Sequence, residues 1–134
     1  DLSIAVAVCY EIAYGHQVGI DSQSANLLMT VSSDTWFGNS IGPHQHFQLA
    51  QVRALETSKP VIRGTNNGIT GLIDHRGRIQ ARAEQFSATV LTGSLVPQRG
   101  MTPFSRWGQN PMAFLSFLIL ALVYAAGRYG IFKS

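Results

Sequence analysis

The chain has 134 residues, room for about one domain, and a formal net charge of +3. Only 13% of the residues are charged against 46% hydrophobic; that charged share is about half that of an ordinary soluble domain and points to a membrane segment or a heavily buried sheet. The basic residues are scattered, with no basic block or aromatic-interleaved stripe, so no nucleic-acid partner is expected, and a single cysteine excludes an internal disulfide.

The chain opens on Asp1 with an apolar run already under way, and it is expected to be part of a longer protein. Residues 2–8 predict a first strand. Ala5, Val6, Ala7 and Val8 are small or β-branched and suit a strand covered on both faces. The run ends in Cys9, followed by Tyr10 and Glu11. From the end of a strand, a turn can expose a sulfur to a substrate, which is where a nucleophile is useful. The alternative is a buried cysteine packing as a small hydrophobe.

Residues 11–18 predict a short helix or a loop, closed by Gly15 or Gly19. Residues 26–32 predict a second strand, which runs into Ser33-Asp34 and then Trp36-Phe37-Gly38. Two large aromatics among polar turn residues suggest a working loop, with core packing as the alternative. After Gly42-Pro43, residues 44–58 predict a helix whose buried face is Phe47, Ala50, Ala54 and Leu55; Pro60 stops it. Residues 61–65 predict a third strand and Asn66-Asn67-Gly68 a turn, since these residues tolerate positive φ. Residues 69–74 and a strand from Ile79 predict a hairpin about the turn at 75–78. Residues 89–95 predict a further strand. Strand, helix, strand and hairpin together predict a layered α/β fold with a mixed sheet.

Residues 97–106 read as a linker. Residues 107–127 carry no charge, and about 20 apolar residues cross a bilayer as a helix, so a transmembrane helix is expected there, with a short tail at 128–134. Trp107, Tyr124 and Tyr129 lie near its ends, as interface aromatics do. Arg99 and Arg106 on one side balance Arg128 and Lys133 on the other, so charge gives no orientation.

No metal site is expected. His44 and His46 lie two apart on the predicted helix and read as surface polar residues. His16 and His75 lack partners at ligand spacing. Arg53 and Glu56 predict an intrahelical ion pair, and Arg63 is a candidate partner for a carboxylate within the fold.

The ordered set CYE at 9–11, SSDTWFGNSIGPHQHFQLAQVRALE at 32–56, RGTNNGITGLIDHRGRI at 63–79 and a terminal apolar helix resembles the C-terminal part of a nitrilase-superfamily domain. Within that superfamily it resembles the apolipoprotein N-acyltransferases. The resemblance implies a nitrilase-like α-β-β-α sandwich, present as a partial domain over 1–96. It implies an acyl chain taken from a phospholipid, held as a thioester and passed to the N-terminal α-amino group of a diacylglyceryl-cysteine apolipoprotein. No cofactor comes with it. The implied location is the bacterial inner membrane, with the catalytic domain on the periplasmic side and Lys133 in the cytoplasm.

By that resemblance Cys9 matches the nucleophile and Tyr10 the tyrosine beside it. Glu11 matches a supporting glutamate, not the base. Trp36 and Phe37 match a segment near the acyl-chain entrance and so a substrate-binding role. The family's base glutamate and its lysine lie ahead of the nucleophile, before position 1, so this chain alone is expected to be inactive. The chemistry explains why they matter. A free thiol has a pKa of about 8.5, so a base must take its proton and a cation must favour the anion. The oxyanion needs donors worth about 3 kcal/mol each, and the Tyr10 backbone N–H suits that role if the chain turns sharply after Cys9. Two alternatives stay open: a nitrilase-type amidase acting on a small amide, and a non-catalytic membrane-anchored domain that binds lipoproteins.

Overall fold

The computed structural model describes residues 1–128. Tyr129, Lys133 and most of the predicted tail lie outside the described residues.

Five strands form one mixed sheet in the order β1 (Ile4–Val8), β2 (Leu27–Ser33), β3 (Val61–Asn66), β4 (Gly71–Ile73) and β5 (Ile79–Arg82). The first three run parallel; β4 and β5 return antiparallel as a hairpin. Parallel neighbours need crossovers. A short 3-10 turn (Cys9–Ala13) with α1 (Gly15–Asp21) makes the first, and α2 (Gly42–Thr57) makes the second. The segment after β1 therefore departs from expectation: Gly15 starts a helix and Gly19 lies inside it.

Register explains which face is the core. Ala5, Leu28, Val61 and Ile73 align across the strands, as do Ala7, Thr30, Arg63 and Gly71. The apolar members of these rows pack against Val18 of α1 and Phe47, Ala50 and Ala54 of α2 in one cluster. Each large apolar side chain buried there contributes about 2 kcal/mol. Gly71 lies so close to the Phe47 ring that a Cβ would collide with it. The opposite face carries Val6, Met29, Ile62 and Leu72 in one row, and Val6, Val8 and Val31 are exposed. Expected to be covered on both faces, β1 is thus covered on one among the described residues. An apolar second face is what the inner surface of a sandwich requires.

Pro43 sits in the first turn of α2, where its missing N–H costs nothing. Ser58 in the left-handed region ends the helix ahead of Lys59-Pro60. Arg53 and Glu56 pair at 2.7 Å, as their spacing predicts. Leu55 is exposed rather than buried; the face is completed by His46, Arg53 and Thr57.

Residues 89–95 are not a strand. Gly93 passes against Leu72, but Val90 is exposed. β-branched residues favour a strand only where they pair, and this segment meets the side chain of Leu72 rather than an edge of the sheet. Within 97–106 and just beyond, Pro103–Trp107 forms a short helix, α3, capped by the Thr102 hydroxyl. Lys59 Nζ donates to the carbonyls of Gln98 and Gly100, each at 2.7 Å, and Gln23 Nε2 donates to the Ser105 carbonyl. Helix α4 (Asn110–Arg128) follows Gly108. It is long and apolar enough to cross a membrane, with mean hydropathy 1.7, and none of that stretch is buried against the protein.

Candidate active site

Three parallel strands bring their carboxyl ends to one edge of the sheet, the edge where open α/β sheets bind ligands. Cys9 follows β1, Asp34 and the Trp36-Phe37 turn follow β2, and Asn66-Asn67-Gly68 ends β3. Segments far apart in sequence therefore share one rim.

Cys9 is exposed, and its φ is +53°. A non-glycine residue held there stores strain of about 1–3 kcal/mol, and a sharp strand-to-helix turn of this kind presents a nucleophile above a sheet. Three contacts hold the turn. Ile12 is fully buried beneath it. The Val8 N–H donates to Glu11 Oε2 at 2.6 Å, closing the elbow from the inside. His46 Nε2 lies 3.2 Å from the Cys9 carbonyl oxygen. Glu11 thus uses one carboxylate oxygen to brace the turn.

His46 is 3% exposed, a correction to its expected place on the helix surface. Its Nδ1 is 2.8 Å from Asp34 Oδ1. Both ring nitrogens face oxygen acceptors, and an imidazole donates at both only when it carries both protons. Asp34 is fully buried and spends its second oxygen on Arg63, whose Nη2 donates at 2.7 Å. Ser32 Oγ donates to Oδ1, and the Asp34 N–H donates to the Asn66 carbonyl. Gly68 belongs here for space: a Cβ on it would fall on the Asp34 carboxylate. Arg63 meets the carboxylate its sequence position suggested. Burial pushes its pKa down, while Asp34, and more weakly the charge of a Cys9 thiolate, favour its ionised form. Its Nη1 has no hydrogen-bond partner among the described residues.

Tyr10 is half exposed, with its ring 6.1 Å from those of Tyr14 and His46. Phe37 stands edge-on to His46 at 6.3 Å. A groove of about 450 Å³ begins at Tyr10 and runs along α2 past Phe37, Gln45, Leu49 and Val52. Trp36, at 92% exposure, points away from the core altogether. The structure thus gathers Cys9, Tyr10, Glu11 and Phe37 at one place and leaves Trp36 on the rim. Sequence reasoning missed Asp34 and His46 as members of the site. The available signal was a charged residue directly after a buried strand, twelve positions before a histidine on the buried side of a helix. Among the described residues, no cluster of His, Cys, Asp and Glu could hold a metal ion.

Residues 1–100 match the carbon-nitrogen hydrolase family. The chain belongs to that family. Relatives named apolipoprotein N-acyltransferase include one from Photobacterium profundum, 45% identical over 98% of this chain and 26% of the relative. One from Pseudomonas putida is 46% identical over 93% of the chain and 25% of the relative. One from Haemophilus influenzae is 49% identical over 87% of the chain and 22% of the relative. The chain spans about a quarter of the length of these relatives. The chain thus combines an exposed thiol at the end of β1 with a helix, α4, long and apolar enough to cross a bilayer.

Proposed function

We propose that this chain is the nucleophile-bearing part of a membrane-bound N-acyltransferase that acylates the N-terminal amine of apolipoproteins. What supports this most is the exposed Cys9 thiol on a left-handed elbow, in a chain 45–49% identical to proteins of that name. In this reading the Cys9 thiolate attacks the ester carbonyl of a phospholipid. The C–O bond breaks, the lysophospholipid leaves with a proton, and a thioester remains on Sγ. The amine of the apolipoprotein then attacks the thioester carbonyl, forming the amide, and the sulfur regains its proton. Two steps with a covalent intermediate give ping-pong kinetics.

Each site residue then has a role. The Tyr10 backbone N–H donates to the oxyanion, Glu11 braces the elbow, Phe37 lines the apolar groove that receives the acyl chain, and Trp36, exposed on the rim, meets the chain as it enters. Helix α4 holds the site at the bilayer surface, where both lipid substrates have their tails. The enzyme sits in the bacterial inner membrane with this domain on the periplasmic side. By itself the 134-residue chain does not turn over. Glu11 is engaged with Val8, and Lys59 is tied to Gln98 and Gly100, so neither serves as base or cation beside Cys9.

The test is incubation of the full-length protein with phospholipid, followed by mass spectrometry of the peptide carrying Cys9. An acyl adduct that disappears on adding the acceptor amine is expected, and none in Cys9→Ala. Hydrolysis of a small amide without any lipid adduct would replace this reading with an amidase. Binding of a lipoprotein with neither reaction would replace it with a non-catalytic anchor.

A further inference from the structure

A nucleophile on a strained elbow stays in place only if the surroundings over-determine the turn. The Cys9 elbow is braced on one side by Glu11. On the other side its carbonyl faces His46 Nε2 at 3.2 Å, from a different element, α2. His46 is itself fixed. Its Nδ1 faces Asp34 at 2.8 Å, and the Tyr10 and Phe37 rings stand at 6.1 and 6.3 Å from its own. Asp34 is fixed in turn by Arg63, by Ser32 and by its own N–H on Asn66. A continuous chain of buried polar contacts therefore runs from β3 through the end of β2 and α2 to the backbone of the nucleophile. His46, Asp34 and Arg63 are all less than one-tenth exposed, so none is there to meet solvent.

We propose that His46, oriented by Asp34, is a positioning residue for catalysis: it holds the Cys9 carbonyl and thereby sets where Sγ and the following N–H stand relative to the acyl carbon. This rests on the reading of Cys9 as the nucleophile. His46 itself moves no proton of the substrate. It acts through the elbow, and misplacing a reacting atom by about 1 Å costs about 100-fold in rate. Asp34 is needed because an unoriented imidazole would be free to turn its N–H away from the carbonyl. Glutamine at this position keeps an amide N–H within reach of the Cys9 carbonyl; alanine does not.

The experiment uses the full-length protein in detergent micelles with phospholipid donor and a lipopeptide amine acceptor. Four forms are compared: wild type, His46→Ala, His46→Gln and Cys9→Ala. The readouts are kcat, KM for the donor, and the rate at which the Cys9 thioester appears by mass spectrometry. The expected result is a fall of about 100-fold in kcat and in thioester formation for His46→Ala. The donor KM stays within about threefold of wild type, and His46→Gln recovers about tenfold of the loss. A His46→Ala enzyme with wild-type thioester formation, beside an inactive Cys9→Ala, overturns the role of His46 and leaves the nucleophile standing. An active Cys9→Ala overturns the nucleophile itself. If His46→Ala does not fold, His46→Gln decides alone: a folded His46→Gln with kcat and thioester formation about tenfold below wild type and unchanged KM supports the donor role, and one with wild-type kcat and thioester formation overturns it. A folded His46→Gln with no thioester formation overturns it.

Discussion

Arg63 on β3 and Asp34 at the end of β2 form an ion pair 2.7 Å long in which neither side chain reaches solvent. A buried pair of this kind is weak evidence of net stability, but breaking it from one side leaves an uncompensated charge, at a cost of about 3–5 kcal/mol. Arg63→Met in the full-length protein is therefore expected to lower unfolding stability by about that amount. Adding Asp34→Asn should recover much of it. Chemical denaturation of the single and double variants decides the matter. A single variant within about 1 kcal/mol of wild type would refute the account.

The backbone at Cys9 gives a second expectation. Glycine adopts positive φ freely, whereas alanine pays for its Cβ there. Cys9→Gly should be more stable than Cys9→Ala by about 1 kcal/mol, while both lose acyl transfer. Equal thermal midpoints for the two variants would mean that the elbow carries no backbone strain.

Gly68 tests the space beside the network. Its missing Cβ leaves room for the Asp34 carboxylate and the Thr65 hydroxyl. Gly68→Ala should displace Asp34, with a stability loss of about 1–3 kcal/mol, the usual cost of overpacking. It should also slow acyl transfer through the same contacts that reach Cys9. Wild-type turnover in a folded Gly68→Ala protein would show that the Asp34 position does not matter to the site.

The elements that were legible in the sequence are those whose pattern is local. β1, β2, β3, α2 and the hairpin follow from apolar runs, Pro43, Pro60 and the turn residues, and the lone cysteine announced itself by standing at a strand's end. What was not legible depends on register and on distant partners. His46 shares the helical period of Ala50 and Ala54, but α2 alone does not say what a polar side chain on that face would meet; its partner, Asp34, is delivered by the end of β2. Residues 89–95 have strand composition, but Gly93 passes over the Leu72 side chain on the face of the sheet rather than along the edge of β1 or β5, and composition does not say whether a segment meets a face or an edge. Leu55 shares the apolar period of α2, yet it lies against Gly77 in the hairpin turn and stays exposed.

The hairpin turn supplies a pH dependence with a definite sign. Burial acts to raise the Asp74 pKa, but the N–H groups of Arg78 and Arg76, with the charges of His75 and Arg78, outweigh it and hold the carboxyl below its ordinary value. A carboxyl depressed in the folded state contributes stability above its unfolded pKa and loses it as pH falls through the folded one. Wild type should therefore exceed Asp74→Asn in thermal midpoint at neutral pH. The gap should close as the pH is lowered from about 4. A gap that stays constant down to pH 2 would show that charge at Asp74 plays no part.

Lys59 links the sheet to the segment that leads into α4. Its side chain is 1% exposed, and burial pushes its pKa down. Both carbonyls it holds, Gln98 and Gly100, flank Arg99, which is exposed. Removing the ammonium leaves two backbone acceptors without their donor, about 1–3 kcal/mol each if they stay buried, so the segment is expected to release them to water instead. Lys59→Met keeps the aliphatic stem and deletes only the charge and its hydrogen bonds. In limited trypsinolysis of the detergent-solubilised protein, cleavage after Arg99 should rise about tenfold or more relative to cleavage after Arg82, since local opening costs less when its anchoring bonds are gone. Thioester formation at Cys9 should survive in that variant, because Lys59 touches none of the groups that hold the elbow. Unchanged cleavage at Arg99 would mean that the segment is held by its other hydrogen bonds, the Gln98 N–H on the Asn26 carbonyl and Gln23 on Ser105 among them, without help from the buried lysine.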